Sequence, residues 1–397
     1  MSNELTQSLL YNIRYLDKLF KVLKLDKNEA KLLSDYSSLE KFYKQADNTV
    51  NDRRIYKVTG KLLNIHKRIN YLLSNIEKPD YLHSARKKRS YITNAQQHIG
   101  QLQVLTLDIE SYFPSIHRNS IFRLFRNTFK CSHVVSDFLA HICTYQGILV
   151  TGSPLSMNLA FFASKDMFDS MYAFAKSENI TMTVYVDDIT FSGSRINSSF
   201  KYHIKGMFHK NGFQLNKGKT RFYSKKHTAR EITGVTIRGN HITASEKVFE
   251  KLHNKLTSWK SISPEQSYDY VTNLKDSLLG LLYHVARFEP KYRKIIAQVQ
   301  HEYIRYIEES LLLSIKQYYS QWNKIINTDL SSNFDVDTTS QEVDELRFNL
   351  NQCIDVIVKL RKKRQFTHKA YRLRRSINYH TDRKIQSLKR HKIETFY

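Results

Sequence analysis

Cysteine is nearly missing from this chain of 397 residues: Cys131, Cys143 and Cys353 are far apart and have no close metal spacing. That excludes a disulfide scaffold and a zinc-finger reading, and it fits a reducing, cytoplasmic setting. No apolar run is long enough to span a bilayer. The first ten residues carry an early acid and lack the pattern of a signal peptide. No short-period repeat is visible. Acid is also in deficit, with 37 Asp and Glu against 63 Lys and Arg, a net charge of +26. Such an excess suits a polyanionic partner whose counterions are released on binding. A merely soluble basic protein fits less well, because aromatic side chains, 12% of the chain, are interleaved with the bases and can stack on nucleobases.

What is present is concentrated in two short segments. Tyr185-Val186-Asp187-Asp188 lies between two β-type runs, Thr181 to Val184 and Ile189 to Ser192. Adjacent carboxylates at an apolar strand end cost folding energy unless a cation neutralises them. A third carboxylate, Asp108, sits in an equally apolar run, Leu105 to Ile109. Mg²⁺ takes such oxygens together with phosphate and water. Three carboxylates on two strands are what a two-metal nucleotidyl-transfer site needs.

Periodicity supplies the surroundings. Helices are expected over about Leu5 to Phe42, Leu62 to Ile76, His117 to Tyr145, Leu155 to Ala175 and Ser199 to Asn211. Alternation predicts a basic strand over Asp52 to Val58, a buried strand over Val104 to Ile109 and a hairpin over Thr181 to Ser192. A second hairpin, Glu231 to Arg238 with His241 to Thr243, turns at Gly239-Asn240. From Ser245 the pattern is helical, with Leu274, Leu278, Leu281 and Val285 on one face. Leu330 to Glu345 reads as an acidic linker. The tail from Lys359 is dense in Lys and Arg and reads either as a solvated charge run or as an RNA-contacting arm. The order strand–helix–helix–hairpin–helix describes a split beta-alpha-beta sheet with both carboxylate strands adjacent at its centre.

At this point the chain resembles a reverse transcriptase of the bacterial retron branch, over about Arg53 to Arg293. Leu107 to Phe113 is similar to the first palm motif, Thr151 to Ser156 to the motif usually written QGSPLSP, and Tyr185 to Asp188 to the YxDD hairpin. Leu215 to Thr220 resembles the palm motif ending in Lys-Thr. Asn94-Ala95-Gln96-Gln97-His98 matches NAxxH, and Ile232-Thr233-Gly234 resembles VTG. Thr151 and Met157 depart from the usual Gln and Pro. Nothing beyond about Leu312 is matched.

The resemblance implies an α+β right-hand polymerase: N-terminal helices and fingers over 1–100, an antiparallel palm over 101–243, a helical thumb over 244–312 and a basic helical extension over 313–397. It implies two Mg²⁺ ions held by Asp108, Asp187, Asp188 and the backbone carbonyl of Ile109. Phe113 becomes the steric gate that favours dNTPs, and Arg54 the triphosphate clamp. Gly152 and Ser153 approach the incoming nucleotide through their backbone. Lys219 either contacts the triphosphate and pyrophosphate or is structural. Asn94, His98, Thr233 and Gly234, with Arg372 and Arg374 of the tail, are candidate RNA contacts, although His98 also reads as a histidine satisfied by the backbone. The implied activity is copying part of a cognate non-coding RNA into multicopy single-stranded DNA, primed from a guanosine 2′-OH. A role in anti-phage defence with an effector protein is implied as well. An intron-derived or abortive-infection polymerase, and an RNA-binding scaffold or antitoxin, are the alternatives.

Overall fold

In the computed structural model the chain is described over residues 4–46, 55–327, 336–361, 372 and 374–387. It divides into two compact units, Met1–Ser245 and Glu246–Tyr397. In the first, α1 (Leu16–Leu23), α2 (Lys27–Ser34) and α3 (Tyr36–Glu40) precede the short ribbon β1 (Tyr43–Gln45) and β2 (Tyr56–Val58). Then follow α4 (Gly60–Ser74), α5 (Tyr91–Gln96), β3 (Gln103–Asp108), α6 (Arg118–Arg123), α7 (His133–Cys143) and α8 (Ser156–Ser177). The unit continues with β4 (Thr181–Tyr185), β5 (Asp188–Gly193), α9 (Ser198–Lys210) and β6 (Arg221–Tyr223). It ends in the ribbon β7 (Ala229–Ile232), β8 (Val235–Arg238) and β9 (His241–Ala244).

The central sheet has the order β4-β5-β3-β6, antiparallel throughout. β3 and β5 are its inner strands, the adjacency that the carboxylate pattern predicts. They are buried on both faces, which is why they read as continuous apolar runs rather than alternating ones. One apolar core runs through this unit and includes Phe125, Phe129, Phe168, Phe191, Phe200 and Phe208, all nearly inaccessible to solvent. Each such ring contributes about 1.5–3 kcal/mol on burial.

The structure refines this reading in three places. The stretch His117 to Tyr145, expected to be mostly helical, is so: a π-helical stretch, Leu124–Thr128, follows α6, and Phe129 to Ser132 separates it from α7. The strand expected over Glu231 to Arg238 is folded back on itself at Thr233-Gly234, where both residues take positive φ (48° and 78°). β1 and β6, three residues each, were too short to show a period.

The second unit is helical over its described residues: α10 (Glu246–Lys260), α11 (Tyr268–Val285), α12 (Tyr292–Asn327), α13 (Val336–Arg361) and helical backbone at 374–387. On α11 the buried stripe is Val271, Leu274, Leu278, Leu282 and Val285; Leu281 sits beside it, part-exposed. The acidic segment expected to be a linker is helix from Val336 onward, because Val343 and Leu350 pack with Trp322 and Ile377. Among the described residues no helix is long and apolar enough to cross a membrane.

Candidate active site

The hairpin β4–β5 carries the Asp pair at its tip. Tyr185 and Asp188 face each other in register, so Val186 and Asp187 are the two central residues of the turn. Val186 has φ 60° and Asp187 does not share it, the pattern of a type II′ turn, whose first central position is normally glycine. A β-branched residue there stores on the order of 1–3 kcal/mol. Two hydrogen bonds hold the turn: the Val186 N–H donates to Ser84 Oγ (3.0 Å), and the Ile109 N–H donates to the Asp187 carbonyl (3.0 Å). The second bond ties the hairpin to the end of β3.

Asp108 is the last residue of β3 and pairs in register with Asp188, so the three carboxylates share one sheet end. Asp108 is 4% exposed, whereas Asp187 and Asp188 are half-buried. Burial, reinforced by the charges of Asp187 and Asp108, pushes the Asp188 carboxyl up to about 7. Like charges at one strand end resist joint ionisation. Lys219 answers part of this: its Nζ donates to Asp108 Oδ1 at 2.7 Å. Asn216 brings it there, since its N–H donates to the Asp108 carbonyl (2.9 Å) and its own carbonyl accepts from Thr220 Oγ1 and the Lys219 N–H. Among the described residues no three His, Cys, Asp or Glu side chains already converge as a metal set. The donor set nonetheless fits a divalent cation: the oxygens are hard, they crowd one another, and one already holds an ammonium. Ile109, 1% exposed, adjoins Asp108. β3 ends at Asp108, so Glu110, read as continuing that strand on the same face, instead lies exposed beyond its end.

Beside Asp187 opens a cavity of ≈ 360 Å³, lined among others by Phe113, Tyr56, Tyr145, Val150 and Thr151. That is the size and character of a small-molecule site. Thr151 lines it, and the loop Thr151-Gly152 runs close against β2: the Tyr56 N–H donates to the Thr151 carbonyl at 2.9 Å. Gly152 has φ 106°, and a Cβ there would lie 2.6 Å from the Tyr56 carbonyl oxygen, so only glycine fits. Ser153 is buried with its Oγ 2.8 Å from His66 Nδ1. His66 Nε2 lies 2.7 Å from the Ile142 carbonyl, which can only accept, so the proton is on Nε2 and the Ser153 hydroxyl donates to Nδ1. Burial lowers His66 to about 4, which keeps it neutral. The Ser153 hydroxyl is therefore committed inward, to His66.

The candidate RNA contacts divide. His98 is wholly buried, with Nδ1 2.7 Å from Ser192 Oγ and Nε2 2.7 Å from Thr183 Oγ1, so it clamps β4 to β5 and does not reach RNA. Burial lowers it to about 3. Asn94 is equally buried and donates to Thr233 Oγ1 (3.4 Å), whose hydroxyl donates to the Tyr91 carbonyl (3.2 Å). These two are corrected from RNA contacts to struts that fix the Thr233-Gly234 turn and the sheet. Arg374 is engaged with Asp355 through two bonds (2.7 and 3.2 Å), whereas Arg372 is exposed. Arg54 lies outside the described residues.

The sequence reading missed Ser84, His66 and Lys78. Lys78 is 6% exposed, and its Nζ donates to the Ala85 carbonyl and to Asn158 Oδ1 (2.6 Å). His66 falls on the apolar face of α4, Lys78 and Ser84 in a segment without period, and nothing in the sequence flags their partners.

Comparison with known proteins falls on this same region. Residues 44–237 match the family model for reverse transcriptase (RNA-dependent DNA polymerase). That segment, a little under half of the chain, is similar to reverse transcriptases. It contains all three carboxylates, and with its antiparallel sheet and helical surround the fold is of the right-hand polymerase class. The chain is similar to the retron Se72 reverse transcriptase of Salmonella heidelberg (strain 579083-10), 28% identical over 212 residues, 51% of this chain and 55% of that protein. It is 27% identical to the retron Ec86 reverse transcriptase of Escherichia coli, over 43% of this chain and 53% of that one. A third relative, the retron Ec83 reverse transcriptase of Escherichia coli, is 24% identical over 70% of this chain and 90% of that one. The chain spans about half the length of the first two relatives. Among solved structures, apo telomerase from Candida tropicalis aligns over 86% of this chain and 73% of that one, at 10% identity and a TM-score of 0.39; no argument rests on it.

Proposed function

We propose that this chain is an RNA-directed DNA polymerase of the retron type, which extends a DNA strand on a structured non-coding RNA by transferring nucleotides from dNTPs. The observation that carries the reading is the meeting of Asp108, Asp187 and Asp188 at one sheet end beside a nucleotide-sized cavity. The relatives, all named as retron reverse transcriptases, support the branch.

In this reading Asp108, Asp187, Asp188 and the Ile109 carbonyl are the groups that would hold two Mg²⁺ ions. Bound there, the ions supply a primer hydroxyl of lowered pKa and charge neutralisation at the triphosphate. The remaining work belongs to the chain. Phe113, on the cavity wall, occupies the space a ribose 2′-OH needs and so selects dNTPs. The Gly152-Ser153 backbone, free of side-chain bulk on one side and pinned by His66 on the other, aligns the nucleotide. Lys219 leaves Asp108 for the triphosphate, trading one anion for another at short range. Arg54 clamps the triphosphate, and the Thr233-Gly234 turn with exposed Arg372 contacts RNA backbone.

The finer reading is that the product is multicopy single-stranded DNA primed from a guanosine 2′-OH, with a defensive role shared with an effector protein. The test is DNA synthesis by purified protein on its cognate RNA with dNTPs and Mg²⁺. Asp187→Asn and Asp108→Asn each remove several kcal/mol of charge stabilisation, so synthesis is expected to fall by about 10³-fold or more while RNA binding persists. Retained synthesis in both variants contradicts the site assignment.

A further inference from the structure

Val186 is the one residue of the catalytic turn whose backbone is held in a conformation its side chain opposes, with φ 60°. Something outside the turn must keep it there, and the contact in place is the 3.0 Å bond from its N–H to Ser84 Oγ. Ser84 is 4% exposed, so this acceptor is not interchangeable with bulk water. It also sits on a segment that is itself fixed. The His83 N–H donates to the Val184 carbonyl (2.8 Å), and the Val184 N–H donates to the Tyr81 carbonyl (2.7 Å), so this stretch lies along β4 as an extra edge. Tyr81 Oη donates to Asp169 Oδ1 of α8 at 2.6 Å. Lys78 ties the far end of the stretch, at Ala85, to Asn158 of the same helix.

We propose that Ser84 is a positioning residue for the catalytic carboxylates: its hydroxyl, anchored to α8 through Lys78 and Tyr81, holds the Val186 peptide in the left-handed region and thereby aims Asp187 at the cation shared with Asp108. This rests on the proposed nucleotidyl-transfer reading. Without the hydroxyl, Val186 relaxes toward negative φ, and the peptide plane that carries Asp187 rotates with it. From the other side the Ile109 N–H donates to the Asp187 carbonyl, a bond that does not constrain the Val186 torsion.

The experiment measures two quantities on Ser84→Ala, Val186→Gly, the double variant and the unaltered protein: Mn²⁺ affinity by titration of the free-ion magnetic resonance signal, and single-nucleotide extension with kcat separated from KM for dNTP. Ser84→Ala is expected to weaken Mn²⁺ binding about tenfold and to lower kcat by a similar factor with KM for dNTP nearly unchanged, at an unaltered melting temperature. Glycine adopts positive φ without strain, so adding Val186→Gly is expected to restore most of both losses. If Ser84→Ala does not melt cooperatively, Ser84→Cys, close in size but a weak acceptor, takes its place with the same expectation. Wild-type metal affinity and kcat in the Ser84 variant, or a double variant no better than the single one, overturn the inference. If the unaltered protein makes no DNA yet the Mn²⁺ pattern holds, the positioning role stands and the polymerase reading falls.

Discussion

At the scale of the residue, the site is a problem of crowded charge. Asp188 is pushed up to about 7 by burial and by its two carboxylate neighbours. Below about pH 7 it holds a proton that an incoming divalent cation must displace, so apparent metal affinity is expected to rise with pH up to about 7 and to level off above it. Metal titrations from pH 5.5 to 8.5 check this, and Asp188→Asn should abolish the slope. The buried histidines act with the opposite sign on stability. His66, His83 and His98 are lowered to about 4, about 4 and about 3, in each case first by burial. A base held neutral in the fold contributes stability that is complete above its unfolded value of 6.5 and is lost as pH falls toward the folded value. Urea midpoints are therefore expected to fall steadily between pH 7 and 5. His98→Ala, which leaves the Thr183 and Ser192 hydroxyls without their buried partner, should cost about 1–3 kcal/mol and leave the RNA affinity of the folded fraction unchanged. A large loss of RNA affinity in a stably folded His98→Ala protein would contradict the strut role.

At the scale of the element, the decisive contact is between the Thr151–Ser153 loop and β2. Gly152→Ala is expected to push the loop off Tyr56 and to lower kcat/KM for dNTP by about 10²-fold, measured by steady-state extension. This scale also shows what the sequence makes legible. The carboxylate strands could be placed because three acids in apolar runs violate the ordinary pattern, and violations mark sites. Gly152 was visible for the same reason: a glycine before Ser-Pro at a loop end. The supports were not legible. Ser84 and His66 act through partners 102 and 87 residues away in the chain, and no local period encodes such a pairing. Asn94 and His98 both turn inward: His98, in the turn just after α5, meets the Ser192 and Thr183 hydroxyls of the sheet, and Asn94 meets Thr233. The acidic stretch that runs into α13 misled for a related reason: its apolar residues are sparse, but Val343 packs with Trp322.

At the scale of the whole molecule, the net charge of +26 would, in the proposed reading, set how the chain meets RNA. Binding to its cognate RNA is expected to weaken by about 10³-fold or more between roughly 50 and 200 mM salt, as measured by filter binding; a flat salt response would contradict a backbone-dominated contact. The largest core lies wholly within the first unit, running from Leu10 to Phe213, whereas a separate cluster around Trp322 and Ile377 serves the second. The central claim, that this chain copies RNA into DNA in the retron manner, is tested most directly by extracting the nucleic acid that co-purifies with the protein from cells carrying its flanking DNA. Portions are then digested with DNase, RNase and a debranching enzyme. The account predicts a discrete DNA band that shifts with both RNase and debranching and is absent from the Asp187→Asn protein. RNA alone, with no DNA formed even on adding dNTPs and Mg²⁺, would contradict it.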